Sequence, residues 1–512
     1  MIIALLIVCL CVIIRLYFFV GIGINDDMGY IHHARSIGNS INILANGGSQ
    51  LAFRTGMVIP LAILYKLFGY KEIGFVIYPV LSSIISCLFI YFTAHKLWGK
   101  TAAIIASLFW VFYPLQIVFD TQLSPSNQHA MCVAASLYFF FAATNKFQSK
   151  QHKKYIIPIL AMLCGASLGF AWLVNEIFVI MVIAAIPIII VKKPSIKILG
   201  WITLGFGLVF LSDFTICRFA SGSWLARINC ILDTESVVVS NKNPYYYPQA
   251  LFKILHPNFY GHEGCFGIIW YIFILTTLYS FIKRTWVAFG ISLSTWFLLA
   301  YMQWGWQGPD GTPIAKYIRY ISMLVPLQCL AMSNAFANCI NQNKIWKVVL
   351  GIILILLFAS SILYSAKVVK AAKIFTNDFR SIADFLIKHN IKNPIYTDST
   401  TVQFVELYSQ CKFNLNMVEY YNTNIPPETG LLITHASWGI IENIEYLNKM
   451  PWWYRNPLPS WKLICIINGG VDGFDLFDKF DPKIYRIQSD KSHKSINQNF
   501  STTTSTSKNN AY

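Results

Sequence analysis

The chain has 512 residues, of which 55% are hydrophobic and only 12% are charged. Soluble globular proteins carry about 25% charged residues, so the composition excludes an ordinary soluble protein and indicates a polytopic α-helical membrane protein. The formal net charge of +17 is spread over short loops between apolar runs rather than gathered in a basic patch. We therefore expect no nucleic-acid partner.

Apolar runs long enough to cross a membrane recur from the first residue to about residue 367. A membrane-spanning helix needs about 20 mainly apolar residues. Segment 1–20 lacks a basic leading region and a clear cleavage site, so we interpret it as a retained span. Segment 54–69 opens with Arg54 and is broken by Lys66, which favours an interfacial helix. The eleven predicted spans are 1–20, 73–95, 101–119, 127–144, 155–173, 175–191, 196–214, 265–282, 286–303, 317–338 and 345–367.

Charge supports this topology when the N-terminus is placed in the cytoplasm. The predicted inner loops then hold basic residues and no acids, which is the positive-inside pattern. These residues are Lys96, Lys100, Lys146, Lys150, Lys153, Lys154, Lys192, Lys193, Lys197, Lys283, Arg284, Lys344 and Lys347.

The acids before residue 370 fall in predicted outer loops or at the outer ends of spans. They are Asp26, Asp27, Glu72, Asp120, Glu176, Asp213, Asp233, Glu235, Glu263 and Asp310. We predict a polar, acid-lined cavity on the outer side. The alternative is that outer loops are longer and simply hold more polar residues.

The chain divides into three predicted parts. Residues 1–369 form a transmembrane catalytic domain, with outer loops at 21–72 and 215–264. Residues 370–488 form a small soluble α/β domain on the outer face, with a helix at 381–390 and strands at 394–398, 430–435 and 461–468. The Ser/Thr-rich tail, 489–512, is predicted to be disordered.

Two adjacent acids, Asp26 and Asp27, follow the first predicted span. Carboxylates at a membrane edge are costly to keep ionised without water. In a helix that begins near Asp27, Tyr30 and Ala34 would share one face, and Asp26 would lie at the positive end of the helix dipole. An ionised Asp26 could accept a proton from a hydroxyl or amine. Alternatively, it only caps the helix.

Further motifs follow in order. The pattern Asp-Asp-x-x-Tyr-x-x-x-Ala spans residues 26–34, and the later elements are Arg54, Pro60, Leu67-Phe68-Gly69, Thr121, Pro125, Ser126, Arg319-Tyr320 and Pro326. This series resembles the GT-C superfamily of polyprenyl-phosphate-sugar glycosyltransferases, and most closely the branch that holds protein O-mannosyltransferases and lipid A aminoarabinose transferases. Two departures stand out. Ser126 replaces an Asp of many members, and Arg54-Thr55-Gly56 stands where some members have Lys-Pro-Pro.

The resemblance implies an inverting glycosyltransferase. Asp26 would be the catalytic base and Asp27 its neighbour. The donor would be a polyprenyl-phosphate sugar and the acceptor a lipid, glycan or protein. The implied location is a bacterial inner membrane, with the active site on the periplasmic or extracytoplasmic side.

Arginine suits the donor phosphate because guanidinium binds its oxygens in a bidentate way. We predict phosphate binding by Arg54 and Arg319, with Lys316 one helical turn before Arg319. Alternatively, Arg319 is a snorkelling residue at a span end. Candidate substrate-binding residues are Tyr30, His33, Asp120, Tyr320, His262 and Glu263.

His262 and Glu263 could also help to hold a divalent metal, although two ligands do not make a metal site. No other cofactor is expected.

Three other functions remain open. A transporter or flippase would place ionisable groups near the bilayer midplane, where Arg15 is the one charge well within a predicted span. An O-antigen ligase-like enzyme would use basic and histidine residues of a late outer loop. An inactive relative would serve as an assembly subunit.

Overall fold

The computed structural model describes residues 2–23, 26–39, 50–145, 153–176, 181–235, 267–301, 318–342, 344–418, 430–434, 457, 459–466 and 483–487. The chain forms two compact units. The first consists of Met1–Gly69 and Ile73–Ala372, and the second of Tyr70–Glu72 and Lys373–Tyr512.

The first unit is helical throughout its described residues. Two 3₁₀ turns, Gln50–Phe53 and Ile318–Leu324, interrupt the series. The α-helices up to the unit boundary are α1 (Ile2–Tyr17), α2 (Asp26–Asn39), α3 (Thr55–Phe68), α4 (Glu72–Trp98), α5 (Lys100–Val111), α6 (Pro114–Phe119), α7 (Pro125–Thr144), α8 (Lys153–Val174), α9 (Met181–Lys192), α10 (Ile196–Ser221), α11 (Ala226–Glu235), α12 (Ile269–Ile282), α13 (Trp286–Ala300), α14 (Val325–Gln342) and α15 (Lys344–Lys388).

Among the described residues, five segments are long and apolar enough to cross a membrane. They are Glu72–Trp98, Tyr155–Val174, Ile196–Ser221, Ile321–Gln342 and Lys344–Lys370. Shorter apolar helices occupy other predicted spans, among them α1, α5, α12 and α13. The protein is therefore an integral membrane protein, and the number of eleven crossings stays a prediction. The segment predicted to be interfacial forms α3.

Two predicted spans are broken where proline removes a backbone donor. The span predicted at 101–119 forms α5 and α6, because Pro114 has no N–H to continue the helix. The span predicted at 317–338 starts as a 3₁₀ turn, and α14 follows with Pro326 at its second residue.

The helix at the predicted start of the second outer loop is longer than expected, and the boundary of that loop at residue 215 stays a prediction. Helix α10 continues to Ser221 and ends at Gly222, whose φ of 76° lies in the left-handed region. The sequence suggested an end near Asp213 because a carboxylate is costly inside an apolar helix. In the structure Asp213 is paired with Arg227, so the helix can continue past it.

Close backbone packing joins α8 to α10. A Cβ atom at Gly165 would overlap the carbonyl oxygen of Ile202, and one at Gly205 would overlap that of Met162. Small residues allow helices in a membrane to approach closely. The C-terminal end of α8, which Glu176 follows, and the latter half of α10, which carries Asp213, are thereby held in a fixed relation.

The second unit contains a five-stranded mixed sheet in its described part. The strand order is β2-β1-β3-β5-β4, with β1 parallel to both β2 and β3, and β5 antiparallel to both β3 and β4. The bounds are β1 (Ile395–Thr397), β2 (Leu415–Met417), β3 (Leu431–Thr434), β4 (Lys462–Ile466) and β5 (Lys483–Arg486).

Helix α16 (Ser399–Ser409) connects β1 to β2, and the ring of its Phe404 stacks on Phe379 of α15 with 4.4 Å between ring centroids. Strands β1, β3 and β4 lie within the predicted segments, whereas β2, β5 and α16 were not anticipated. The placement of this unit on the outer face and the disorder of the tail stay predictions.

Candidate active site

The two adjacent acids occupy different environments at the start of α2. Asp26 is the first residue of the helix and is partly exposed. Asp27 is only 4% exposed, and its Oδ2 accepts hydrogen bonds from the backbone N–H of Gly23 at 2.7 Å and of Leu123 at 3.1 Å. Asp27 therefore ties the segment before α2 to the turn before α7. Asp26 is the more exposed acid of the pair.

Tyr30 lies one turn after Asp26 and has no exposed surface. Its hydroxyl oxygen accepts a hydrogen bond of 2.6 Å from Nη1 of Arg54. Burial raises the pKa of Tyr30, and the nearby Asp26 carboxylate adds to this shift, although Arg54 opposes it. The phenol therefore stays protonated. Tyr30 contacts Arg54, and its predicted contact with a substrate stays a prediction.

Arg54 lies between the first 3₁₀ turn and α3, and it is nearly buried. Its Nη2 is 2.6 Å from Oε1 of Glu176, and its Nε donates to Oε2 at 3.4 Å. Burial alone would lower the pKa of Arg54, but Tyr30 and Glu176 together raise it well above its ordinary value. The guanidinium is thus permanently charged and already engaged by a carboxylate.

Glu176 follows α8 and collects donors from three segments. Besides Arg54, its carboxylate accepts from Nε2 of Gln50 at 2.6 Å and forms an ion pair of 3.6 Å with Arg227. Burial would raise its pKa, but the charges of Arg54 and Arg227 and the hydrogen bonds lower it below the ordinary value. A close approach of α3 to α8 makes this geometry possible, since a Cβ atom at Gly56 would lie 2.8 Å from the backbone nitrogen of Val174.

Arg227, on α11, completes the cluster. Its Nη1 donates to Asp213 at 3.2 Å, and its Nη2 donates to the carbonyl oxygen of Trp172 at 2.6 Å. Its guanidinium lies 4.7 Å from the centroid of the Trp172 ring. The indole N–H of Trp172 also donates to Asp213, at 2.8 Å. We call Arg54, Glu176, Arg227 and Asp213 the ion network.

The ion network corrects the prediction of an acid-lined cavity for Glu176 and Asp213. Two buried arginines neutralise these two acids, because ionised groups are retained in a protein interior only when they are paired. Arg227 escaped sequence analysis, since no local pattern marks it. The sequence contains one indication of such a residue: two acids at the ends of predicted spans require basic partners.

A second buried pair joins Arg15 to Asp120. Both side chains have no exposed surface, and Nε of Arg15 lies 2.6 Å from Oδ2 of Asp120. Arg15 also donates to the carbonyl oxygens of Val111 at 2.7 Å and Trp110 at 3.2 Å, beside the helix break before Pro114. Asp120 is thus buried and paired in the structure, and its predicted contact with a substrate stays a prediction. Arg15 faces the protein interior, where Asp120 neutralises it.

Other predicted site residues give less information. His33 is half-buried, and its pKa is lowered by burial and by His32. Ser126 is buried at the start of α7, and its N–H and hydroxyl both contact Oγ of Ser124. Lys316, His262 and Glu263 lie outside the described residues, as do the side chains of Arg319 and Tyr320.

Within the described part of the chain, no group of three or more His, Cys, Asp or Glu side chains could hold a metal ion. The pair His262 and Glu263, which could help to hold a divalent metal, lies outside that part. Metal binding there stays a prediction.

One family of known proteins matches part of the sequence. The sequence model of the dolichyl-phosphate-mannose-protein mannosyltransferases matches residues 59–216, from α3 to α10. No curated protein matches the chain.

The fold has clear counterparts among solved structures. ArnT from Cupriavidus metallidurans bound to undecaprenyl phosphate matches with a TM-score of 0.60 and 11% identity, over 94% of this chain and 97% of that chain. The apo state of the same protein matches with a TM-score of 0.59, 10% identity and the same coverage. The predicted resemblance to the GT-C polyprenyl-phosphate-sugar glycosyltransferases is therefore confirmed.

Proposed function

We propose that this membrane protein, which has the GT-C fold, is an inverting glycosyltransferase. It moves a sugar from a polyprenyl-phosphate carrier to a lipid, glycan or protein acceptor on the outer side of the membrane. The observation that carries the proposal is the division of the acid pair. Asp26 is partly exposed at the N-terminus of α2, while Asp27 is fixed by two backbone amides. A substrate can reach one acid, and the other holds it in place.

Asp26 acts as the base in this mechanism. The N-terminal end of α2 favours its ionised form. As the acceptor oxygen or nitrogen attacks the anomeric carbon, its proton moves to the Asp26 carboxylate. The bond between the anomeric carbon and the phosphate oxygen breaks on the opposite side, so the configuration inverts and polyprenyl phosphate leaves.

The leaving phosphate gains negative charge and needs cations that are already in position. Arg319 and Lys316 keep this proposed role. Arg54 is better explained as a positioning group, because its guanidinium contacts Glu176 and Tyr30. A phosphate would have to compete with the Glu176 carboxylate for the same nitrogens.

The donor class and the location belong to the same proposal. The fold matches a protein solved with undecaprenyl phosphate, and a polyprenyl phosphate is the carrier we propose here. Basic residues in the predicted inner loops favour an active site on the opposite side, which is the periplasmic or extracytoplasmic side of a bacterial inner membrane.

Asp26→Asn tests the mechanism, because it removes the base with little change in size. Membranes of a deletion strain supply unspent donor and unmodified acceptor, and mass spectrometry measures the free polyprenyl phosphate that the added protein releases. We expect release by the wild type and none by Asp26→Asn at equal membrane level. Full activity of Asp26→Asn would remove Asp26 from the mechanism. A wild type that releases nothing, yet accumulates a solute in proteoliposomes, would instead favour a transporter.

A further inference from the structure

We propose that Glu176 is a positioning residue for the reaction: it holds Arg54 and, through Arg54 and Tyr30, fixes the helix that carries Asp26. This inference rests on the proposed function. It concerns a residue that no motif in the sequence marks.

The first step is the path from Glu176 to α2. Glu176 contacts Arg54 through both carboxylate oxygens, and Arg54 donates from its remaining nitrogen, Nη1, to the hydroxyl of Tyr30. Tyr30 lies four residues after Asp26, and side chains at this spacing share one face of a helix. A displacement of Arg54 would therefore act on the face of α2 that carries Asp26.

The second step is the anchor behind Glu176. Its Oε2 lies 3.6 Å from Arg227, and Arg227 is bound to Asp213 on α10 and to the backbone of Trp172 on α8. Backbone contacts at Gly165 and Gly205 hold these two helices together. The ion network thus connects a closely packed pair of helices to α2. A helix of 14 residues is marginal without tertiary contacts, so its orientation depends on such connections.

The third step is electrostatic. The Tyr30 hydroxyl lies within range of the charges of Asp26, Arg54 and Glu176. In the wild-type protein the negative charge of the Glu176 carboxylate balances the positive charge of the Arg54 guanidinium. If Glu176 becomes neutral, the charge of Arg54 is no longer balanced and the hydrogen bonds between the two side chains weaken. A positioning role therefore predicts a lower kcat without a rise in the donor KM, and a partial recovery when a carboxylate is kept at this position.

Glu176→Gln tests these steps with purified protein and the donor from deletion-strain membranes. We expect kcat to fall about 10- to 100-fold, since a displacement of about 1 Å can cost 10²-fold, without a rise in the donor KM. Glu176→Asp keeps the charge but is shorter, so it should recover part of kcat.

Glu72→Gln is the matched control, because Glu72 pairs with Arg380 at 2.6 Å in the second unit. It should keep the kcat of the wild type. If Glu176→Gln does not fold, Tyr30→Phe tests the path by removing only the hydroxyl that Arg54 contacts. We expect it to lower kcat several-fold.

Wild-type kcat in either Glu176→Gln or Tyr30→Phe would overturn the inference. These results are meaningful only with an active wild type. An inactive wild type would contradict the proposed function itself, whereas an active wild type with unaffected variants would contradict only the role of Glu176.

Discussion

The carboxylate of Asp27 lies 3.1 Å from the backbone nitrogen of Leu123, a residue 96 positions further along the chain. This contact joins the start of α2 to the turn before α7. It explains why two adjacent acids differ in exposure, since the buried Asp27 fixes the start of the helix on which the partly exposed Asp26 lies.

Asp27→Asn should destabilise the protein more than Asp26→Asn does. Hydrogen bonds to charged groups contribute about 1.5–3 kcal/mol each, and an amide keeps an acceptor oxygen but loses the charge. We expect Asp27→Asn to cost about 1–3 kcal/mol and Asp26→Asn about 1 kcal/mol or less. Thermal unfolding in detergent measures the stability of both variants. Equal melting temperatures for the two variants would contradict the holding role of Asp27.

The buried pair of Arg15 and Asp120 predicts non-additive mutations. Removal of one partner from a buried ion pair costs about 3–5 kcal/mol because the other charge stays unpaired. Arg15→Met and Asp120→Leu should each sharply lower the melting temperature and the yield of folded protein. The double variant should be more stable than either single variant, because neither charge then remains. A double variant as unstable as the sum of the single effects would show that the pair is not coupled.

Glu176 should make stability sensitive to acid. Its pKa in the folded protein lies below the ordinary value of 4.5, so the unfolded chain takes up a proton at higher pH than the folded protein does. The stabilisation is therefore fully present above about pH 4.5 and is lost as the pH falls through the lower folded value. Arg54 contributes nothing in this range, since it is charged in both states. The measurement is the melting temperature between pH 7 and pH 3.

In that measurement the wild type should lose more stability on acidification than the Glu176→Gln variant. The glutamine of the variant has no carboxylate that could take up a proton. Parallel curves for the two proteins would exclude a depressed folded pKa at Glu176.

Hydropathy and charge predicted most of the helical framework, because long apolar runs and flanking lysines are local properties of the sequence. The end of α10 was missed for a non-local reason. Asp213 looks like the end of a span until Arg227, on a separate helix, is known to pair with it. Strands β2 and β5 have the sequences Leu-Asn-Met and Lys-Ile-Tyr-Arg, which lack the continuous apolar run that indicated β3.

The candidate site was predictable in kind but not in arrangement. The motif around Asp26 indicated the acid and its helix, while the contacts that separate Asp26 from Asp27 come from Gly23 and Leu123. The sequence predicted phosphate binding by Arg54 but not its contact with Glu176. That contact joins residues 122 positions apart, and local sequence does not indicate it.

Two glycines of α10 provide a last prediction, with a control on the same helix. A Cβ atom at Gly205 would overlap the carbonyl oxygen of Met162, whereas one at Gly207 meets nothing within 4 Å. Gly205→Ala should therefore force α8 and α10 apart at a cost of about 1–3 kcal/mol. It should also disturb the ion network between their ends and lower kcat. Gly207→Ala should be neutral or stabilise by about 0.5–1 kcal/mol, because alanine is the better helix former. The two variants are compared by their melting temperatures and by their rates of donor turnover. If Gly205→Ala keeps both wild-type values, the close approach of the two helices does not position the site.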